Sequence, residues 1–350
     1  MQREPAAPGG AGPLSGEVLH NRDMAVFQPS GVVTLTTDFG LEDPFVGVMK
    51  GVLTARFPAV RIIDVTHAIP PQRVAEAGFW LSRCFEYFPA GAVHVAVVDP
   101  GVGTDRAIVC VTARGHALLA PDNGLLAPIV ARCTDAEVFA LGAATLAALG
   151  IHRVSATFHG RDIFAPVAAE LAAGRLAPAA LGERLPGLSV GLAEPGVGLP
   201  RPGVRRREQS GDHGGEDRTG ASVSGSVVTI DHFGNLITDI DSARLAQLRD
   251  PQVSIAGRTV PLRRTYGEAR AGELLALVNS FDALEIAVAE GSAAVTLGVG
   301  RGATVRVGPD GGGSGGSEAS GGESGRGEPS GGEPREALEP RPLPDERNPL

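Results

Sequence analysis

Apolar runs alternate with helix-like stretches along the first part of the chain, between residues 31 and 200. Apolar residues dominate five short runs, at residues 32–36, 61–65, 93–98, 108–113 and 116–120. The helix-like stretches lie at residues 43–57, 74–88 and 162–173. Near-continuous apolar strands separated by helices are typical of a mostly parallel sheet that is covered on both faces. The pattern therefore predicts an α/β domain over residues 31–200, with ligands bound beyond the carboxyl ends of its strands.

Residues 223–308 show a different pattern, with short β-rich segments, glycine turns and little sign of helix. The segments lie at residues 223–230, 252–255, 284–288 and 303–307. Short, closely spaced segments of this kind indicate a small β-barrel or sandwich. We therefore expect a smaller C-terminal β domain, which we assign as a β-barrel, after the α/β domain.

Glycine and proline are concentrated outside these two blocks. The 350 residues include 49 glycines and 27 prolines, yet 43% of the chain is hydrophobic, so the composition must be segregated. Residues 309–350 hold 11 glycines and 7 prolines without a valine, isoleucine or aromatic residue, and residues 201–222 are charged and glycine-rich. Segments of this composition cannot bury a core. We expect disorder at residues 1–30, a flexible linker or insertion at 201–222 and a disordered acidic tail at 309–350.

The charge and cysteine content give no reason to expect a nucleic-acid or membrane partner. The formal net charge is −9, and the tail supplies five of these negative charges, so the rest of the chain is only mildly acidic. No apolar run approaches the roughly 18 residues of a membrane span. The three cysteines lie in apolar surroundings without C-x-x-C spacing, which is typical of thiols in a reducing compartment. With no block of signal-peptide type, we expect a cytoplasmic protein.

Polar residues follow predicted strands or precede a predicted helix in the α/β domain. Asp38 follows the first strand, where a carboxylate can bind a ribose diol or, equally well, form an Asx-turn or helix cap. After Asp99, proline and glycine residues let Arg106 fold back, which gives either a site for a polar nucleophile or a structural ion pair. His159 precedes the helix-like stretch at 162–173, where a neutral imidazole could accept a proton from water or simply cap the helix.

The predicted barrel carries a second set of candidates. Phe233 and Asn235, in Asp231-His-Phe-Gly-Asn, could contact a purine face and edge, although a β-turn is the ordinary alternative. Ser280 and Glu285 flank a further bend. The sequence has no G-x-G-x-x-G after the first strand, no P-loop and no metal-ligand spacing of histidines or cysteines. We therefore expect a site without a metal or cofactor.

Seven segments in order along the chain resemble one family. They are TLTTDFG (34–40), DVTH (64–67), VHVAVVDPGVGT (93–104), PDNG (121–124), SATFHGRDIFAP (155–166), DHFGN (231–235) and LEIAVAEGSAA (284–294). Together they resemble the S-adenosylmethionine hydroxide adenosyltransferases, which are relatives of the fluorinase and chlorinase enzymes. The resemblance covers about residues 31–200 and 223–307, and leaves out the two ends and the 205–222 insertion.

The resemblance implies a reaction and three catalytic residues. Water or hydroxide would attack C5′ of S-adenosylmethionine, methionine would leave, and adenosine would be released. The Asp–Arg–His set of the hydroxide-using members corresponds to Asp99, Arg106 and His159. By the resemblance, Arg106 stabilises the developing hydroxide, Asp99 orients it and His159 is the plausible base.

The resemblance also implies substrate contacts on both domains. Asp38 corresponds to the ribose-binding carboxylate, and Phe233 with Asn235 to the adenine-facing pair. The other contacts implied are to the methionine amino group (Asp43 and Asp231), to its carboxylate (Ser280), and at the adenine or methionine end of the barrel (Glu285 and Val288). S-adenosylmethionine is then the substrate, with no cofactor. The family further implies a homotrimer, with each site between the α/β domain of one subunit and the β domain of its neighbour.

Departures from the halogenases favour hydroxide over halide. Phe281 stands where those enzymes have an arginine, and Gly160 stands where the fluorinase has its halide-site serine. The chlorinase, however, also lacks this serine. The fluorinase has an aromatic residue at the position of Asp99 and no histidine at that of His159. Two alternatives stay open, namely a halide-using relative and a non-catalytic protein that binds adenosine.

Overall fold

The computed structural model describes residues 26–191 and 222–308, and its first sheet contains seven strands. The strands are β1 (Val32–Thr37), β2 (Arg61–Thr66), β3 (Val93–Val97), β4 (Ile108–Ala113), β5 (His116–Pro121), β6 (Glu137–Ala140) and β7 (Arg184–Leu185). They lie in the order β2-β1-β3-β5-β4-β6-β7. The first four strands of this order are parallel, and β4, β6 and β7 extend them in antiparallel pairing.

Helices cover both faces of this sheet. They are α1 (Phe45–Arg56), α2 (Val74–Cys84), α3 (Ala127–Arg132), α4 (Ala143–Ala148) and α5 (Ala165–Ala172), the last preceded by a π-helical turn over Gly160–Phe164. Because successive strand residues point to opposite faces, Val95 packs in the cluster with α1 and α5, whereas Ala96 packs in the cluster with α2 and α3. Apolar residues on both faces explain why the sequence reads as near-continuous hydrophobic runs.

The second sheet is antiparallel and nearly closes into a barrel. Its strands are β8 (Val223–Ile230), β9 (Leu236–Asp241), β10 (Gln252–Ile255), β11 (Arg258–Val260), β12 (Leu274–Val278), β13 (Ala283–Val288) and β14 (Thr304–Gly308), in the order β11-β10-β14-β8-β9-β13-β12. A bridge between Leu262 and Ala276 joins the two ends of this order. Two short helices, α6 (Ser242–Leu245) and α7 (Ala293–Leu297), lie in its connections.

Helix α2 joins the two sheets through a buried ion pair. The carboxylate of Glu76, which is 5% exposed, accepts bonds from Arg301 at 2.8 and 3.0 Å and from the Thr229 hydroxyl at 2.5 Å. Phe79, one turn further along α2, packs with Ile237 and Ala283 of the barrel. Charged and hydrogen-bonding partners of this kind offset the cost of burying a carboxylate.

The predicted fold class is confirmed, namely an α/β part with a parallel set of strands followed by a small β-barrel. The helix-like stretch at 74–88 ends as a 3₁₀ turn over Phe85–Tyr87, and the stretch at 162–173 begins two residues earlier than predicted, at Gly160. Short strands such as β6, β9 and β12 were not predicted. Most of the expected disordered segment at 1–30, most of the 201–222 linker and all of the 309–350 tail lie outside the described residues. Within residues 26–30, Phe27 packs against the core and the Ser30 N–H donates to the carbonyl oxygen of Gly91 at 3.0 Å.

The cysteines and helices add two observations on the described residues. Cys84, Cys110 and Cys133 are free thiols, the last two buried. Burial raises the pKa of the Cys84 thiol to about 11 and that of the Cys110 thiol to about 12, so both stay protonated at neutral pH. No helix in residues 26–191 or 222–308 has the length and apolar character that crossing a bilayer requires.

Candidate active site

The ends of three neighbouring parallel strands form the edge where the candidate residues of the α/β part lie. Thr37 at the end of β1 pairs with Val97 at the end of β3, so the residues that follow, Asp38 and Asp99, emerge at the same edge. After β5, the Asn123 side chain donates to the carbonyl oxygen of Val98 at 2.9 Å. Asn123 therefore ties the turn after β5 to the residue directly before Asp99.

Asp99 and Arg106 form a buried ion pair across a glycine-rich turn. Arg106 Nε donates to both carboxylate oxygens at 2.9 Å, and Arg106 Nη2 also donates to Oδ2. The two side chains are only 4% and 11% exposed. Backbone bonds from Val102 to Asp99 and from Thr104 to Gly101 close the turn that brings them together. The turn thus places a guanidinium and a carboxylate at the end of β3.

His159 contacts the same guanidinium, and this contact fixes the imidazole tautomer. Arg106 Nη2 lies 2.8 Å from His159 Nδ1. Because an arginine can only donate, Nδ1 must accept, and the imidazole proton of the neutral ring lies on Nε2. Burial and then the charge of Arg106 lower the pKa of His159 below 6.5, against the opposing effect of Asp99 and Asp162. At neutral pH the site therefore holds a neutral imidazole bonded to a guanidinium that is paired with a carboxylate.

Two glycines control how closely the segments of this cluster approach one another. Gly103 has a φ of +81°, and a Cβ at this position would lie 2.3 Å from the carbonyl oxygen of Ala156. Only glycine therefore allows the Asp99–Arg106 turn to pack against the segment before His159. At Gly160 a Cβ would lie 3.1 Å from Met49 Sδ and 3.1 Å from the Phe158 ring.

An aromatic cluster stands beside His159. Phe39, Phe45 and Phe158 contact one another edge-to-face, with ring centroids 5.4–6.1 Å apart. The rings of Phe39 and Phe158 also flank Gly160, the residue after His159. These rings place apolar surface beside the segment that carries His159.

The two other candidates of the α/β part lie on the loop after β1. Asp38 is half-buried, and its Oδ2 accepts the backbone N–H of Gln72 at 2.8 Å. Its Oδ1 has no hydrogen-bond partner within residues 26–191 and 222–308. Asp43 is exposed two residues before α1.

The turn between β8 and β9 carries three candidates of the barrel. Asp231 Oδ1 accepts the backbone N–H groups of Phe233 and Asn235 at 2.9 Å, and its Oδ2 accepts the Asn235 side-chain amide at 3.0 Å. Gly234 has a φ of +84° and lies against Ser292, where a Cβ would approach Oγ to 2.1 Å. This tight turn buries Asn235 but leaves the Phe233 ring 74% exposed.

A buried carboxylate, Glu285, lies on the neighbouring strand β13. It is 3% exposed and accepts bonds from the Tyr266 hydroxyl at 2.5 Å and the Asn279 amide at 3.1 Å. Burial raises the pKa of Glu285, with a further contribution from the charge of Asp231, although its bonds to Tyr266 and Asn279 oppose this. Tyr266 and Asn279 therefore hold the buried carboxylate of Glu285 in place on β13.

The remaining two barrel candidates differ in accessibility. Ser280 is exposed, and its carbonyl oxygen accepts from Tyr87 at 3.3 Å. The next residue, Phe281, packs against Trp80 with ring centroids 5.4 Å apart. Val288 is 6% exposed and belongs to the barrel core.

Asp99, Arg106 and His159 contact one another in one cluster on the α/β part, and Asp231 with Asn235 forms a second cluster on the barrel. Asp38, Asp43, Ser280 and Val288 make no hydrogen bond or ion pair to the other candidates within the described residues. In residues 26–191 and 222–308, no hydrogen bond or ion pair joins Asp38, Asp43, Asp99, Arg106 or His159 to the six barrel candidates. Tyr266 and Asn279, which donate to Glu285, were not predicted as site residues from the sequence. Asn123 lies in the PDNG turn (121–124), one of the seven segments that resemble the family, although no role in the site was predicted for it. In the same described residues, no group of three His, Cys, Asp or Glu side chains could hold a metal ion.

The parallel strands and the charged cluster at their carboxyl edge are typical of an α/β enzyme that acts on a small polar molecule. A family model for the SAM hydroxide adenosyltransferase N-terminal domain matches residues 33–182, and one for the C-terminal domain matches residues 225–306. The chain therefore belongs to the SAM hydroxide adenosyltransferase family.

Named relatives and a solved structure agree with this assignment. The chain is 41% identical over 277 residues to an (R)-S-adenosyl-L-methionine hydrolase of Salinispora arenicola, covering 79% of this chain and 97% of the relative. It is 39% identical over 279 residues to a protein of the same name from Thermus thermophilus, covering 79% and 98%. A fluorinase of an Actinoplanes species is more distant, at 26% over 289 residues, covering 73% and 90%.

The similarity extends to the fold. An uncharacterized conserved protein from Thermotoga maritima has a crystal structure that is similar to this chain, with a TM-score of 0.65 and 33% identity. The match covers 79% of this chain and 99% of that protein. Both the α/β part and the barrel are therefore shared with a solved member of the same fold.

Proposed function

We propose that this protein hydrolyses S-adenosyl-L-methionine to adenosine and L-methionine. An oxygen of water forms a bond to C5′ of the ribose while the C5′–S bond breaks. The bonding electron pair goes to the sulfur, which turns the sulfonium into the neutral thioether of methionine, and one water proton is released. The observation that carries this proposal is the Asp99–Arg106–His159 cluster at the end of β3, in a chain whose relatives are named for this reaction.

The leaving group needs no general acid, so catalysis depends mainly on positioning the attacking water. Departure of methionine removes the positive charge of the sulfonium, so the leaving group needs no proton. The enzyme has to hold one water molecule in line with the C5′–S bond and strip its other hydration. A buried ion pair next to an aromatic wall is suited to this task, because both its charges and its apolar side are fixed in advance.

The three residues divide this work. Arg106 uses Nε and Nη2 for Asp99 and His159, and its two Nη1 donors have no partner within the described residues, so they are free to hold a developing hydroxide. Asp99 keeps the guanidinium oriented and directs the water. His159 can take the water proton at Nδ1 only after the Nη2 donor of Arg106 turns from the imidazole to the new oxyanion.

The substrate-binding roles follow the polar chemistry of each candidate. Asp38 binds the ribose diol with its unpartnered Oδ1, and Phe233 with Asn235 contacts the adenine. The methionine part is held through its amino group (Asp43 and Asp231) and its carboxylate (Ser280), while Glu285 and Val288 line the adenine or methionine end. The relatives are named for the (R) form of the substrate, and we extend that preference to this chain.

We further propose a homotrimer in which each site combines the α/β part of one subunit with the barrel of its neighbour. The two clusters share no hydrogen bond or ion pair within the described part of one chain. Exposed aromatic residues on the barrel, Phe233 and Tyr266, are available for a second surface. In a heterologous, ring-closing interface, one surface of a subunit contacts a different surface of its neighbour. The α/β cluster and the barrel cluster can meet across such an interface. The reaction as written needs no metal or cofactor, and the three free thiols fit a cytoplasmic location.

Product analysis tests the proposal. Purified protein incubated with S-adenosyl-L-methionine should release adenosine and methionine in equal amounts, also in the presence of a chelator. Formation of a 5′-halo-adenosine when chloride or fluoride is added would instead support a halide-using enzyme. Calorimetric binding of adenosine without any product would support the non-catalytic alternative. Absence of both products and of binding would refute the proposal and leave only the fold.

A further inference from the structure

A chain of polar side chains runs from helix α1 to the turn that carries Asp38, and the reaction proposed above does not use it. It begins at Lys50, the single lysine in a sequence with 30 arginines. Lys50 Nζ donates to Asp64 Oδ2 at 2.6 Å, and Asp64 Oδ1 faces His67 Nε2 at 3.0 Å. On the other side of the ring, His67 Nδ1 lies 2.8 Å from Thr37 Oγ1.

The polar atoms of this chain lie within contact distance of one another. The backbone N–H of Phe39 donates to Thr37 Oγ1 at 3.2 Å, and the same oxygen lies 2.8 Å from His67 Nδ1. His67 Nε2 lies 3.0 Å from Asp64 Oδ1 but has no hydrogen bond of good geometry within the described residues. Burial opposes the ionisation of Asp64, but its hydrogen bond to Lys50 and its contact with His67 outweigh this and lower its pKa. The chain of contacts is therefore continuous from Lys50 through Asp64 and His67 to Thr37.

His67 also holds the turn through its backbone. Its carbonyl oxygen accepts the N–H of Gly40 at 2.9 Å. The residues on either side of Asp38 are thus fixed by the same histidine, Thr37 and Phe39 through the ring and Gly40 through the main chain. His67 is 4% exposed and Thr37 is fully buried, so these contacts do not compete with bulk water.

We propose that His67, supported by Asp64 and Lys50, is a positioning residue that presents the Asp38 carboxylate to the ribose diol of the substrate. The inference rests on the proposed function, because it takes Asp38 as the ribose ligand. A carboxylate that accepts two hydroxyl groups must be held to within about half an ångström to be effective. The backbone bond from Gln72 fixes one oxygen of Asp38, and the His67 network fixes the main chain that carries it.

The variant His67→Phe tests this role, because it fills the same space without ring nitrogens. We expect its KM for S-adenosyl-L-methionine to rise about tenfold, as for the loss of one buried hydrogen bond, with a much smaller change in kcat. His67→Asn, which can place an amide group near the position of Nδ1 and keep the hydrogen bond to Thr37, should restore most of the affinity. Lys50→Met, at a partly exposed position, should shift KM in the same direction by a smaller factor.

A double-mutant cycle that combines His67→Phe with Asp38→Ala distinguishes a positioning role from general damage to the fold. In an Asp38→Ala background, His67→Phe should have no further effect on KM. The matched control is His94→Phe, because His94 Nδ1 is bonded to Thr34 on the same strand β1 at 2.8 Å, away from the Asp38 turn. We expect this control to lower stability without raising KM. Additive effects of His67→Phe and Asp38→Ala, or an unchanged KM in His67→Phe, would overturn the proposal.

A binding measurement distinguishes failure of this inference from failure of the proposed function. Calorimetry compares adenosine with 2′,3′-dideoxyadenosine, which lacks the diol, and requires no turnover. The unmodified protein should prefer adenosine, and His67→Phe should lose most of that preference. If no adenosine is formed from S-adenosyl-L-methionine but this pattern of binding holds, the function fails while the positioning role stands. If the unmodified protein does not distinguish the two nucleosides, or His67→Phe keeps the preference, the positioning role is wrong.

Discussion

Arg106 is the residue on which the candidate site depends, because its donors are shared between Asp99 and His159. Replacing it with lysine keeps the charge but removes the planar fork, so one ammonium cannot serve both partners and the water. We expect Arg106→Lys to lower kcat by about 10²–10³-fold, as for the loss of an oxyanion donor. Steady-state kinetics of adenosine release measure this effect.

The control for this substitution is an arginine far from the site. Arg184 pairs with Glu137 at 2.8 Å on the antiparallel edge of the sheet and is 67% exposed, so Arg184→Lys should leave kcat unchanged. If Arg106→Lys retains full kcat, the guanidinium has no special role and the division of work among the three residues is wrong.

The lowered pKa of His159 predicts the direction of the pH dependence. Since burial and Arg106 disfavour the imidazolium, His159 stays neutral at and above pH 6.5. Activity that needs Nδ1 as an acceptor should be level there and decline as the pH falls through the lowered pKa. The free energy of unfolding should also decrease as the pH falls, because the unfolded histidine takes up its proton at a higher pH than the folded one. The measurement is kcat/KM against pH, and an acid limb centred above 6.5 would contradict the assignment.

At the scale of single elements, the close approach of two loops brings His159 to Arg106. Gly103→Ala would place a Cβ 2.3 Å from the Ala156 carbonyl oxygen, at a φ of +81° that disfavours side chains. We expect the loops to separate and kcat to fall by at least about tenfold, since small misplacements of catalytic groups are costly. KM should change less, because the predicted substrate contacts lie elsewhere.

A glycine in a helix near the same site provides the comparison. Gly51 lies in α1 with a helical backbone, and a Cβ there would meet nothing within 4 Å. Gly51→Ala should leave kcat intact and raise the free energy of unfolding slightly, because alanine favours the helix. If Gly103→Ala has no more effect than Gly51→Ala, the loop contact does not shape the site.

Comparison of the predicted and observed elements shows which features of the fold the sequence alone predicts. Apolar runs such as 108–113 and 223–230 gave strand bounds that match β4 and β8, because both patterns are strong and end at turn residues. The Asp99–Arg106 pair followed from a local proline–glycine turn. The pairing of Glu285 with Tyr266, in contrast, depends on how the barrel strands pack, and the contacts that link Lys50, Asp64, His67 and Thr37 join α1, β2 and β1. Contacts of this kind arise only when distant segments fold together.

At the scale of the whole molecule, the proposed trimer predicts that inactive variants can complement each other. Asp99→Asn removes the α/β half of a site, and Phe233→Asp, at an exposed position, places a charge against the adenine in the barrel half. In a co-expressed equal mixture, about a quarter of the interfaces of a ring would combine two intact halves. We expect activity well above that of either variant alone.

Co-expression followed by purification through tags on both variants provides this measurement. A mixture whose activity equals the sum of the two separate variants would show that each site lies within one chain. The same preparations, sized by light scattering, report the number of subunits directly.

In the proposed reaction the oxygen of water becomes the 5′-oxygen of adenosine. The most direct test is turnover of S-adenosyl-L-methionine in ¹⁸O-enriched water, with mass spectrometry of the adenosine and methionine released. We expect one ¹⁸O atom at the 5′ position of each adenosine and none in methionine. Adenosine without the label, or a product cleaved at another bond of the sulfonium, would contradict it.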